Sequence, residues 1–404
     1  MKTIIKKIKI LIRYVLICIN DILIHFPVRK KVALFESFNG KGLTDNPKAI
    51  YDAIIHMDPH AYSKLYWGVK AQYFPKIRAD YPNINIVKRW SFKWIFISAT
   101  ANFWFFNSRM PTWWKKNKNT IYVQTWHGTP LKKLGFDMDD FKIPGMTRNQ
   151  YLSEFKKESN RWDYLVAGNQ FSENVFRHAF QFDHKFLSTG YPRNDILIKQ
   201  NTNIYIRALK KRIIGNDKLK VITYAPTWRD DKQLSFGKYA FDMPFNIDNF
   251  LKVIPENVIL LIRPHYLVQL NLDIKKYNGR VKIDDSTDMK DLYLISDLLI
   301  TDYSSVMFDY AVLKRPMIFY AYDEKHYENG LRGFYFDYWH ELPGPIANNE
   351  AELLSDVKDV INNNFKVTDI VAFKKFQDKF LQWEQGNASS QIAEKIYFRG
   401  DLKK

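Results

Sequence analysis

The feature that most restricts what this chain can fold into is a rhythm: short runs of Val, Ile, Leu, Phe and Tyr alternate with polar stretches of helical spacing. Runs that are apolar throughout, and too short for helices, fit strands covered on both faces, with the intervening helices as the cover. The first series comprises Val32 to Phe35, Leu65 to Val69, Ile84 to Val87, Phe103 to Asn107, Ile121 to Thr125, Tyr164 to Ala167 and Phe186 to Ser188. The second comprises Val221 to Tyr224, Val258 to Ile262, Val281 to Ile283, Leu298 to Thr301 and Met317 to Phe319. Between them Tyr205 to Lys220, with Arg207, Lys210, Lys211 and Arg212, is a charged helical stretch, so a boundary between two α/β units falls near residues 196–216. A chain of 404 residues, 46% apolar and 16% aromatic, can fill two such cores. Two doubly wound units facing each other put ligands at the carboxyl ends of their strands, in the cleft between them.

A formal charge of +18 demands anionic company, and its placement narrows the choice. Lys2, Lys6, Lys7, Lys9, Arg13, Arg29, Lys30 and Lys31 face a single acid, Asp21, around the apolar stretch Ile8 to Phe26. That stretch is interrupted by Lys9, Arg13, Asn20, Asp21 and His25, too often for a span of about 20 apolar residues, so it reads as an interfacial helix. A buried core helix and a single span are the alternatives. No small-residue cleavage site follows His25, which argues against a signal peptide. The aromatic-rich stretch Arg89 to Lys118 reads as core from Trp90 to Phe106 and as membrane-facing at Trp113, Trp114, Lys115 and Lys116. The lone cysteine, Cys18, excludes an intrachain disulfide and a thiolate zinc cluster.

Chemistry-bearing residues collect at the strand ends. His127, in Trp126-His127-Gly128-Thr129-Pro130, stands directly after Ile121 to Thr125, where an imidazole titrating near neutrality can take a hydroxyl proton; capping the next helix is the structural alternative. Arg263, Pro264 and His265 end Val258 to Ile262 and offer two cationic donors on a rigid segment, with a structural ion pair as the rival reading for Arg263. Thr301 to Ser305 precede a short helical stretch, so Ser304 and Ser305 with free N–H groups suit an anion, and Asp309 shares the Ser305 face to hold a hydroxyl. Pro226, Thr227 and Arg229 follow Val221 to Tyr224, and Gly190 to Asp195, with Arg193 and Asn194, lies near the unit junction.

No Walker loop or GxGxxG turn is present, which removes ATPase and nicotinamide readings. Asp137-Met138-Asp139 has the spacing of a metal-binding Asp-x-Asp but follows a Lys-rich segment, not a strand end, so neither a metal nor another cofactor is expected. Leaving-group charge then falls on Arg, His, hydroxyls and a helix N-terminus. A basic nucleic-acid-binding or membrane-scaffold protein is the alternative from another class. The basic residues sit beside apolar segments, and no RNA-binding signature appears, so nucleic acid is not an expected partner.

Taken in order, Asn46 to Ile50, Trp126 to Lys132, Gly190 to Asp195, Pro226-Thr227 with Arg229, Arg263 to His265, Ser296-Asp297 with Thr301 to Ser305, and Arg332 to Phe334 resemble the CDP-glycerol glycerophosphotransferase family of teichoic acid synthesis, at its shorter primase or transferase type. Tyr266 departs from the small residue or proline common there. The resemblance implies a GT-B-like α/β fold of two Rossmann-like domains, with residues 1–30 a membrane-associated amphipathic helix, 31–200 the acceptor-side domain, 201–385 the CDP-donor domain and 386–404 a C-terminal helix and tail. It implies glycerol phosphate transfer from CDP-glycerol to a lipid-linked acceptor of the undecaprenyl diphosphate disaccharide type, with CMP released, at the cytoplasmic face of the membrane. His127 would be the base and His265 the stabiliser of the pyrophosphate. Trp126, Gly128, Thr129, Pro130, Arg193, Asn194, Pro226, Thr227, Arg229, Arg263, Pro264, Ser304, Ser305 and Asp309 would contact the donor. CDP-ribitol and sugar-nucleotide donors are the alternatives within the class, and a homo-oligomer is left open.

Overall fold

The computed structural model describes residues 2–139, 146–227, 233–235, 238–240, 243–264, 268–269, 272–323 and 333–400. Two parallel sheets organise them. The first contains β1 (Arg29–Glu36), β2 (Leu65–Val69), β3 (Ile86–Lys88), β4 (Ala101–Phe106), β5 (Ile121–Gln124), β6 (Tyr164–Ala167) and β7 (Lys185–Ser188), in the order β3-β2-β1-β4-β5-β6-β7. The second contains β8 (Lys220–Ala225), β11 (Val258–Ile262), β13 (Val281–Ile283), β14 (Leu298–Thr301), β15 (Met317–Tyr320) and β16 (Ile346–Ala347), in the order β13-β11-β8-β14-β15-β16. A small sheet of β9 (Gln233–Ser235), β10 (Lys238–Ala240) and β12 (Val268–Gln269) and the short β16 carry no apolar run that would announce them.

Burial on both faces explains why the strand sequences do not alternate with polar residues. Along β1, Ala33 and Phe35 enter one core cluster while Val32 and Leu34 enter the cluster on the opposite face. Phe103 and Phe105 divide from Trp104 and Phe106 in the same way on β4. Each side chain buried in this manner contributes about 1.5–3 kcal/mol of transfer free energy, which makes the register of these parallel strands costly to shift. The chain then returns: Ile392, Ala393, Ile396 and Tyr397 pack into the first sheet's core, with Tyr397 5.5 Å from Phe103.

Helix α1 (Lys2–Leu23) lies against the helix Phe92–Thr100. Leu16, Ile19 and Leu23 meet the core, and the buried Asn20 accepts the Lys115 amide at 2.9 Å through Oδ1. Its other side leaves Leu11, Tyr14, Val15 and Ile22 exposed, and Phe92 of the adjoining helix is 80% exposed. Among the described residues no helix is long and apolar enough to cross a membrane. The expected outward display by Trp113 and Trp114 is corrected: Trp114 is fully buried, Trp113 stacks on Trp90, and Lys116 is tied to Asp163 at 2.6 Å. Strong aromatic packing at Trp90, Trp94 and Trp114 outcompetes exposure there, and the exposed rings are Phe92 and Phe96 instead.

Candidate functional site

The carboxyl ends of β1 and β5 from the first sheet and of β8, β11 and β14 from the second border one open cleft of about 1790 Å³. His127 reaches it because the backbone around it is forced. Trp126 has φ 48° and Gly128 φ 130°, and three more non-glycine residues beside them, Phe38, Asn39 and Asp45, also hold positive φ. Left-handed backbone costs a non-glycine residue on the order of 1–2 kcal/mol, so its concentration at one histidine marks a position that the surrounding packing overdetermines. Trp126 supplies some of that packing. Its indole is buried against Phe176 and Phe180 and stacks on the imidazole at 4.5 Å, so it supports His127 while the residue also borders the cleft.

The Asn107 carbonyl lies 2.9 Å from Nδ1 of His127. A carbonyl can only accept, so Nδ1 carries the proton and Nε2 keeps its lone pair. The ring is accessible from the cleft yet sits on the cleft floor. Lost hydration there pushes its pKa below the ordinary histidine value; the bond to Asn107 and the Asp45 carboxylate oppose this, and Arg193 adds to it. The result is a neutral imidazole with a free acceptor nitrogen, the form a general base needs.

The turn Gly190 to Asp195 joins everything around this histidine. Arg193 Nη1 donates to Asp45 and to the His127 carbonyl, each at 2.8 Å, and Nη2 pairs with Asp309 of the second unit at 2.7 Å. A Cβ on Gly128 would sit 2.6 Å from Arg193 Nη2, which is why the residue after His127 has none. Asn46 accepts the Arg193 amide at 3.1 Å and donates to the Thr125 and Trp126 carbonyls. Asn194 donates to Asp309 and Glu384 at 3.1 and 3.0 Å. Asp195 accepts from the Ala388 and Ser389 amides. Thr44 donates to Asp288, a second tie across the cleft.

Several residues assigned to donor contact are thus engaged within the protein. Arg193, Asn194 and Asp309 form a tie between the two units, and Thr129 Oγ1 is buried where it accepts from Asn169 at 3.0 Å. Pro130 and Pro226 are buried, and Thr227 donates to the Asp302 carboxylate from both its amide and its hydroxyl. Arg263 keeps its structural partner: Nη1 donates to the Asp284 carbonyl at 2.9 Å, with Pro264 buried behind it. Ser304 and Ser305 behave differently. Both are partly exposed on the cleft, and Ser305 makes no capping bond, so its hydroxyl is available at the helix start Val306–Tyr310. His265, Arg229 and Tyr266 lie outside the described residues. The Asp-x-Asp carboxylates serve separate partners: Asp137 accepts from Tyr335 and meets His178, both at 2.6 Å, while Asp139 pairs with Lys133.

Sequence reasoning overlooked Phe38, Asp45, Asn107 and Glu384. Asn107 closed a strand run and Ser37-Phe38-Asn39-Gly40 has the Asn-Gly of a tight turn, signals that were legible. Glu384 carried none.

Two parallel α/β units facing each other across an open cleft, with a neutral histidine from the first and hydroxyls with a helix start from the second, define a two-domain enzyme of GT-B-like fold. The chain belongs to the CDP-glycerol:poly(glycerophosphate) glycerophosphotransferase family, whose profile matches residues 18–398. It is 45% identical over 372 residues to the teichoic acid glycerol-phosphate transferase of Staphylococcus aureus (strain NCTC 8325 / PS 47), covering 91% of this chain and 93% of that one. It is 42% identical over 373 residues to the teichoic acid poly(glycerol phosphate) polymerase of Bacillus subtilis (strain 168), covering 92% of this chain but about half, 49%, of that relative. Its structure is similar to that of the wall teichoic acid polymerase TagF, with a TM-score of 0.85 at 35% identity over 99% of this chain and 97% of that chain.

Proposed function

We propose that this protein transfers glycerol phosphate from CDP-glycerol to a lipid-linked acceptor in teichoic acid synthesis and releases CMP. The observation that carries the reading is the His127 tautomer: Nδ1–H is spent on the Asn107 carbonyl, leaving Nε2 as the acceptor on the cleft floor. In the proposed step Nε2 takes the proton of the acceptor hydroxyl as its oxygen attacks the β-phosphorus. A phosphorus–oxygen bond of the diphosphate breaks, and CMP leaves with the electron pair. Ser304, Ser305 and Arg263 border the opposite wall, where hydroxyls and a guanidinium would bear the diphosphate charge, and His265 is assigned to the same task.

Glycerol is favoured over ribitol because a glycerol-phosphate transferase and a poly(glycerol phosphate) polymerase reach 45% and 42% identity, whereas a ribitol-phosphate polymerase of Bacillus spizizenii (strain ATCC 23059 / NRRL B-14472 / W23) reaches 30%, level with a glycerol-phosphate primase at 29%. Residues 31–200 are assigned to the acceptor and 201–385 to the donor. The exposed apolar side of α1, with Phe92 and Phe96 beside basic residues, supports peripheral attachment to the cytoplasmic face of an anionic membrane.

The test incubates the full chain with labelled CDP-glycerol, CDP-ribitol or a sugar nucleotide and a lipid-linked disaccharide, and compares His127→Ala. Transfer from CDP-glycerol alone, lost in the variant, is expected; turnover retained by His127→Ala would overturn the mechanism.

A further inference from the structure

Glu384 stands in the segment that returns the chain from the second unit to the first, and it is absent from the cleft wall. Its Oε1 accepts the Tyr191 amide and the Asn194 side-chain amide, each at 3.0 Å. Its Oε2 is sealed from solvent and has no hydrogen-bond partner among the described residues, although the stem of the residue is partly accessible. The fit is close on the other side too. Gly190 has φ 87°, and a Cβ there would stand 2.7 Å from the Trp383 carbonyl and 3.1 Å from Oε2.

From this carboxyl a continuous chain of bonds reaches the catalytic histidine. Asn194 shares its amide nitrogen between Glu384 and Asp309, Asp309 holds Arg193, and Arg193 holds the His127 carbonyl. The geometry points to Glu384 as a positioning residue for the transfer reaction: acting through the Tyr191–Asn194 turn, it sets His127 against the second unit's half of the cleft.

The role requires the protonated acid. The charged and titratable groups acting on it are Asp309 on the helix Val306–Tyr310 and Asp195 at the head of the helix Asp195–Lys199, while the guanidinium of Arg193 in the turn is already shared by Asp45 and Asp309. A carboxylate at Glu384 would be a buried anion beside two others with no cation of its own. Burial first, then Asp309 and Asp195, push its pKa up to about 8, against the two donated bonds. Raising the pH through that value places a charge at the root of the chain of bonds and loosens the turn.

The proposal rests on His127 as base, and the experiment separates the two. Steady-state kinetics with CDP-glycerol and the lipid-linked acceptor are followed from about pH 6 to 9 for wild type, Glu384→Gln and Glu384→Ala, with amide exchange measured across residues 189–195. Glutamine keeps the accepting oxygen and stays neutral, so near pH 7 its kcat remains within about two-fold of wild type, while alanine loses about ten-fold or more in kcat with a small change in donor KM. Wild type loses kcat and Tyr191 amide protection above pH 8, and the glutamine variant does not. Equal impairment of both variants, or superimposable alkaline limbs for wild type and Glu384→Gln, overturns the proposal. If the alanine variant fails to fold, the glutamine comparison decides alone. If His127→Ala keeps turnover, the base assignment falls while the exchange data still judge Glu384.

Discussion

Replacing Arg193 by alanine tests the tie between the two units most directly. The guanidinium is 16% exposed and its partners Asp45 and Asp309 are 7% and 8% exposed, so water cannot replace what is removed. Two carboxylates lose their cationic donor and the His127 carbonyl loses the same guanidinium at once. Breaking a buried pair from one side costs about 3–5 kcal/mol, because the surviving charge stays desolvated. Asp309 can relieve part of this by taking a proton, since burial already raises its pKa against the pull of Arg193, and the loss therefore stays within that range instead of doubling. At about 2–4 °C per kcal/mol for domains of this size, the unfolding midpoint should fall by about 6–20 °C. Calorimetry of the full chain measures it, with Asp309→Asn and the double variant completing the cycle. The double variant should be less unstable than the two single losses added together, with a coupling of about 0.5–3 kcal/mol. A drop of under about 2 °C for Arg193→Ala, or a coupling near zero, would show that the bonds to Asp309 do not hold the units together.

Other outcomes follow from the same geometry. Gly128→Ala should cut kcat by about ten-fold or more, because its Cβ meets Arg193 and its backbone lies at φ 130°; activity near wild type would refute the close approach. Because desolvation lowers the His127 pKa, the neutral base persists as pH falls, so the acid limb of kcat/KM should have its midpoint below about 6.5; a midpoint above that value contradicts the assignment. Phe92→Asp with Phe96→Asp should weaken binding to vesicles containing anionic lipid in a sedimentation assay while leaving the unfolding midpoint nearly unchanged, and undiminished binding would move the membrane contact elsewhere.

How much of this was open to inspection in the sequence depends on the range of the interaction. The strands of the two parallel sheets, the short β16 excepted, were legible because burial on two faces writes itself into consecutive residues: Val258 to Ile262 needs no distant partner to be recognised, and the structure places β11 on those same residues. His127 was legible for a similar reason, since a strand, a glycine and a proline surround it locally. The burial of Trp114 is not legible because Trp beside Lys looks alike in a headgroup layer and under a basic rim, and only the packing against Trp90 and Trp94 decides. Arg193 and Asp309 are each legible as a charge at a cleft, but their pairing is not, because it spans 116 positions of sequence. Glu384 lies 190 positions from Asn194 in a stretch with no motif, so nothing short of the folded chain connects them. The turn Gly190 to Asp195 therefore carries a structural constraint beside the ligand contact proposed for it. Its residues converge on Asp309 of the second unit and on Glu384 and Ser389 of the returning segment, so substitutions there should change the relation of the two units as well as the affinity for any one substrate.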